Sequence, residues 1–190
     1  VTYTTVRGSD GNIWLQQNLG SASVATAQND EASYGDLFQW GRWDDGHQKR
    51  NSVTATVPTP NNPSGLATGN EAFYTGWWSP NALTDKWEAP TPSAATDVNG
   101  CDPCKALGNG WKLPTEAEWD AIVTSQNMQN PATAFQSVLK LPASGYRAAS
   151  GSFSVVGARG YFWSSTTSSS GAKYLYVGTT IANPSAGAPR

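Results

Sequence analysis

The segment GWKLPTEAEWDAI (110–122) sets three carboxylates, Glu116, Glu118 and Asp120, two residues apart. Paired carboxylates do acid–base work only when both face one reacting atom. Three carboxylates at i, i+2 and i+4 of a helix do not converge on one point, so they make a poor acid–base pair. WDDGH (43–47) offers Asp44, Asp45 and His47, a candidate metal or acid–base set and the one place where calcium is considered. Asp and Gly are also the residues that a turn selects. GCDPCKALG (100–108) holds the two cysteines, Cys101 and Cys104. A zinc site needs four ligands and the chain has a single histidine, so a structural zinc is excluded. A thioredoxin-like pair calls for a surrounding βαβ pattern, and none is visible. The pair therefore reads as structural: a disulfide between Cys101 and Cys104, or one half of a longer bridge. With no G-x-S-x-G elbow, phosphate loop or H-E-x-x-H, no cofactor or resident metal is assigned and the chain reads as non-catalytic.

Composition narrows the class. Charged residues make up only 14% of 190, against about 25% in an average domain. Nine Trp and seven Tyr, with 19 Gly and 12 Pro, describe a loop-rich, β-leaning chain whose surface is hydroxyl and amide rather than ionic. That profile fits a secreted or cell-surface domain. The net charge of −2 and the lack of any Lys/Arg cluster argue against nucleic-acid binding. No apolar run approaches the roughly 20 residues of a membrane-spanning helix. The chain opens on Val1 without a leader, as a mature or trimmed chain would. Its length suits one domain, 1–190.

The elements that must position these groups follow from local pattern. Thr115 and Glu118 have the T-x-x-E spacing of a capping box, and Trp119, Ile122 and Val123 form the apolar face of the helix it starts. Residues 1–19 predict a hairpin with Tyr3, Thr5, Ile13 and Leu15 in alternation, and 34–43 predict a short strand. From 44 to 100 no periodicity is visible, but Tyr74, Trp77, Trp78 and Trp87 point to an ordered excursion stapled by aromatics. Because Trp77 and Trp78 are adjacent, one can be buried while the other is free to stack on a sugar ring. A second short helix is expected over 130–139. Four successive strands are expected over 139–150, 151–157, 160–169 and 172–180, an antiparallel meander.

Five motifs occur in order: WLQQNLG (14–20), YGDLFQWGRWDDGHQKR (34–50), GWKLPTEAEWDAI (110–122), LKLPASGYR (139–147) and GYFWSST (160–166). Together they resemble the Fibrobacter-type major paralogous domain (FISUMP family), a family of bacterial secreted and surface modules. The chain is more distantly similar to formylglycine-generating enzymes, which share the L-P-T-E-A-E-W segment. Both resemblances imply an α+β, C-type-lectin-like fold: a small twisted antiparallel sheet, two helices and long irregular loops. The enzymes depend on paired cysteines in the C-terminal part of the domain, and this chain has no cysteine after Cys104. Members of the paralogous family also continue into a final strand containing S-V-R-C. Its cysteine is placed to pair with one ahead of L-P-T-E. Set against that pattern, a chain ending at Arg190 is expected to lack its last strand, and pairing of Cys101 with Cys104 is the alternative to that longer bridge.

The segment 161–190 is rich in Ser, Thr, Tyr, Gly, Ala and Pro around a firmer frame of Trp163, Ser164, Ser165, Leu175 and Pro184. In some lectin-like domains this region is rewritten by diversity-generating retroelements, and the composition here has that look; an ordinary Ser/Gly-rich meander surface would share it. Either way, Tyr and Phe supply rigid contact area and Ser and Gly adaptable hydrogen bonds. The expected binding face comprises Phe162, Thr167, Ser168, Tyr174, Tyr176, Thr179 and Ala186, with Trp77 and Trp78 as a loop site. The expected function is adhesin-like binding of a surface glycan or protein. The alternatives are a subunit or passenger of an extracellular appendage, secretion system or larger surface assembly, and an enzyme of the formylglycine-generating type.

Overall fold

Thr115 starts the longer helix as its spacing predicts. Its hydroxyl accepts from the Glu118 N–H at 3.2 Å, and the Glu118 carboxylate accepts from the Thr115 N–H at 2.8 Å. The computed structural model describes residues 2–66, 71–78, 81–169 and 171–190. In it α1 spans Glu116–Ser125 and buries Trp119, Ile122 and Val123, the three residues of the predicted face. The second helix, α2, is Pro131–Gln136. Asn130 caps it by accepting from the Thr133 N–H, and Pro131 occupies the first turn, where its missing N–H costs nothing. Among the described residues no helix is long and apolar enough to cross a membrane.

The chain is α+β, with few helices and small sheets. It begins with the expected hairpin, β1 (Thr5–Arg7) paired antiparallel to β2 (Ile13–Leu15). The face that packs inward is not the one alternation suggests. Val6 and its partner Trp14 pack on the core, whereas Ile13 is 45% exposed. A strand this short is set by what its neighbours cover, and here that is the Trp14 ring against Trp119, centroids 5.0 Å apart. Residues 34–43 form no strand. Their backbone is held by the loop that follows, with the Leu37 N–H donating to the Gln48 carbonyl.

The stretch 44–100 hides two small parallel pairs: β3 (Thr54–Thr56) with β4 (Phe73–Thr75), and β5 (Lys86–Ala89) with β6 (Asn99–Cys101). Strands of three or four residues are too short to show periodicity. Within this stretch residues 67–70 and 79–80 lie outside the described set. The aromatic staple is present: Trp40, Tyr74, Trp77, Trp78 and Trp87 form one buried cluster. Its indole donors are satisfied on backbone, Trp40 on the Ser164 carbonyl, Trp77 on that of Trp40 and Trp87 on that of Cys101, at 2.7–2.8 Å. Gly41 (φ +89°) has to be glycine, because a Cβ there would lie 2.1 Å from the Trp78 ring. Arg190 closes the cluster. Its buried guanidinium lies over Trp40 and Trp78, donates to the Gly171 and Ala82 carbonyls and pairs with Asp85.

The C-terminal third forms a short pair, β7 (Tyr146–Arg147) with β8 (Phe153–Ser154), and a three-stranded antiparallel sheet. That sheet has β10 (Gly171–Val177) at its centre, between β9 (Gly160–Ser168) and β11 (Ala182–Ala188). The sequence pattern does not predict β11, since small residues and Pro184 obscure it; Pro is tolerated because the strand lies at an edge. One face of the sheet carries Phe162, Leu175 and Val177 onto Trp119, Ile122 and Leu139. The Trp119 N–H also donates to the Trp163 carbonyl at 3.0 Å, tying helix to strand.

Two substitutions separate these contributions. Trp119→Ala, which removes the buried ring, is expected to cost about 3–5 kcal/mol. Thr115→Ala, which removes only the cap, is expected to cost about 1 kcal/mol. Urea unfolding followed by tryptophan fluorescence should show a much larger midpoint shift for the first.

Candidate binding face

The register of β9 and β10 decides which side chains share a face. Tyr161 lies opposite Tyr176, and Trp163 opposite Tyr174. Cross-strand partners point to the same side. The four rings therefore stand together on the side of the sheet away from α1. They touch in sequence: Tyr161 and Tyr174 stack at 5.6 Å with planes 29° apart, Tyr161 and Tyr176 lie at 5.2 Å, and Trp163 meets Tyr174 edge-on at 5.8 Å. Tyr146, delivered by β7, extends the row at 4.7 Å from Tyr161. The Trp163 N–H donates to the Phe38 carbonyl at 2.7 Å, so its end of the row is fixed. All five rings are half-buried. Tyr146, Tyr161, Trp163 and Tyr174 line one side of a cleft of about 830 Å³ that continues past Phe38 and Trp14.

Tyr174 and Tyr176 thus stand on a shared face, as their spacing predicts. Ala186 lies beside Tyr174 on β11. Thr167 is half-buried and donates its hydroxyl to the Leu83 carbonyl at 2.9 Å. The Ser168 hydroxyl is buried, without a hydrogen-bond partner among the described residues. Thr179 is exposed in the turn after β10.

Three expectations are corrected. Phe162 is not on the face; it is 8% exposed and packs on Trp119, because alternation along β9 sends it to the core side. Trp77 and Trp78 are both 2% exposed and form no loop site, since each fills the indole cluster. Cys101 and Cys104 are both free and buried rather than bridged. Cys101 ends β6, whereas Cys104 opens a 3-10 turn with its N–H donating to Asp102 at 2.8 Å, so the two sit on separate elements. Tyr146 and Tyr161 are not among the residues expected on the binding face from sequence. Tyr161 was within reach, two residues from Trp163 and hence on its face, but nothing local announces that β7 brings Tyr146 alongside.

The WDDGH group is a closed hydrogen-bond set. The His47 Nδ1–H donates to Asp45 at 2.5 Å, and Nε2 accepts from the Gln39 N–H at 2.9 Å. Arg42 pairs with the other Asp45 oxygen, and the Gln48 amide donates to Asp44. Both ring nitrogens are therefore occupied. Among the described residues, no three His, Cys, Asp or Glu side chains converge as a metal site.

Burial is the main cause of the lowered His47 pKa, from 6.5 to about 4; the Asp45 hydrogen bond opposes the shift and the Arg42 charge adds to it. Between these values the unfolded chain binds a proton that the folded chain refuses. Stability is therefore full above pH 6.5 and falls on acidification toward pH 4, by roughly 3 kcal/mol at about 1.4 kcal/mol per unit. In His47→Gln, where an amide takes over both hydrogen bonds, urea midpoints measured across this window should lose most of their slope. Burial, reinforced by Asp102, also pushes the Cys101 thiol up to about 11 and that of Cys104 further. Thiolate is the reactive form, so both cysteines should resist maleimide at neutral pH in the folded protein and react rapidly in urea. The chain matches no protein-family model, and comparison with curated proteins and with solved structures likewise finds no match.

Proposed function

We propose that this chain is a secreted or cell-surface, non-catalytic binding module with a C-type-lectin-like fold. Its C-terminal meander recognises a glycan or protein on another surface. The observation that carries this reading is the row Tyr146–Tyr161–Tyr174–Trp163, with Tyr176 at its side, left half-exposed on a sheet whose other face is locked to α1. A buried hydrophobic face beneath an aromatic, hydroxyl-rich one is an economical recognition platform. The rings offer large contact area on two rotatable bonds each, so little conformational entropy is lost when a partner arrives.

The scaffold also tolerates variation where the contacts lie. Thr179 lies in an exposed turn and Ala186 on an edge strand, so neither is needed to fill the core. Trp163, Ser164 and Leu175 are held by backbone hydrogen bonds or burial. This division into a fixed frame and replaceable positions supports the retroelement-diversified reading of residues 161–190.

Replacing Tyr174 and Tyr176 together by Ala is expected to abolish binding of the fluorescently labelled domain to intact bacterial cells and to immobilised surface glycans and proteins. The urea midpoint should move far less than in Trp119→Ala. Unfolding of the double variant, with no separable binding defect, would place the rings in the core and defeat the reading.

A further inference from the structure

Resting on that reading, we infer that the tyrosine row is a subsite for a linear oligosaccharide rather than for a peptide. Sugars are recognised by two groups at once: aromatic faces against the C–H face of a pyranose, and neutral hydrogen-bonding groups against its hydroxyls. The row supplies both. Tyr146, Tyr161, Tyr174 and Trp163 follow one another at centroid spacings of 4.7, 5.6 and 5.8 Å, comparable with the advance of one pyranose along a linear glycan. The hydroxyls of Tyr146, Tyr174 and Tyr176 have no hydrogen-bond partner among the described residues. Burial raises the pKa of Tyr161 and Tyr174, so these phenols stay neutral well into the alkaline range.

Two of the neighbouring cations are engaged with the protein's own groups. Arg159 lies beside the Tyr161 hydroxyl. Arg147, beside Tyr146, donates to the Gly151 and Ser52 carbonyls and to the Ser52 and Thr54 hydroxyls. Lys173 leans toward Glu116 of α1. A peptide that added a strand would do so at the outer edge of β9 or β11 rather than on the ring-bearing face, because β10 already has both edges paired. The row itself offers rings and hydroxyls, along a cleft of about 830 Å³ that has room for several sugar units.

The test is titration of the whole domain with cellohexaose, chitohexaose and maltohexaose, followed by calorimetry and by tryptophan emission, since Trp163 touches Tyr174. At least one hexasaccharide is expected to bind with an affinity that does not change between low and high salt. Tyr174→Ala should weaken that binding about tenfold, the loss of one ring contact, and Tyr174→Phe, which keeps the ring, by less. Each variant's urea midpoint confirms that it is folded. Binding that survives Tyr161→Ala and Tyr174→Ala would put the sugar elsewhere and overturn the inference. So would the absence of binding to all three sugars by a domain that still attaches to cells through Tyr174 and Tyr176; the occupant would then be a protein and the binding-module reading would stand. Failure of both experiments would end both.

Discussion

The Trp119 side chain is the constraint on which the rest of the structure depends. Its ring is set between Trp14 of the N-terminal hairpin and Phe162 of β9, and its N–H is bonded to the Trp163 carbonyl. One residue thus joins the first element of the chain, the longer helix and the C-terminal sheet. Because strand side chains alternate, holding Phe162 against Trp119 forces Tyr161 and Trp163 to the opposite side. Pairing with β10 then places Tyr174 and Tyr176 beside them. The exposed ring row is therefore the complement of the core rather than an independent feature.

The second cluster solves a different problem, that of ordering a long stretch with little secondary structure. Indoles bury much apolar area per residue, and their N–H groups close on carbonyls of distant segments: Trp40 on Ser164, Trp77 on Trp40, Trp87 on Cys101. Arg42 and Arg190 flank the aromatics as paired cations, Arg42 with Asp45 over Tyr74 and Arg190 with Asp85 over Trp40. A buried guanidinium is costly without such partners. Asp45 and His47, which resemble a functional set by residue type, belong to this buried frame. Their polar atoms serve one another and the backbone, and little is left for a ligand.

Much of the fold was legible in order along the chain. The Thr115–Glu118 spacing, the apolar face of α1, the N-terminal hairpin and the long β9 and β10 were all readable, because each depends on contacts within a few residues or on sustained alternation. The parallel pairs β3–β4 and β5–β6 were not, for strands of three or four residues carry no period. Nor was β11, whose residues have weak strand preference and pair only because β10 presents a free edge. The cysteine pair illustrates a different limit: spacing shows that two thiols are near in sequence, whereas the end of β6 and the turn after it decide whether they are near in space.

The site divides along the same line. By itself the sequence determined that Tyr174 and Tyr176 share a face and that this region is rich in hydroxyls and aromatics, since alternation is a property of one strand. Tertiary structure alone decided that Phe162 faces inward, that both Trp77 and Trp78 are buried, and that Tyr146 arrives from another sheet to lengthen the row. The reason is that alternation says which residues lie together but not which of the two sides is covered. That choice falls to the packing of Trp119, a residue more than forty positions away along the chain from the strand it orients.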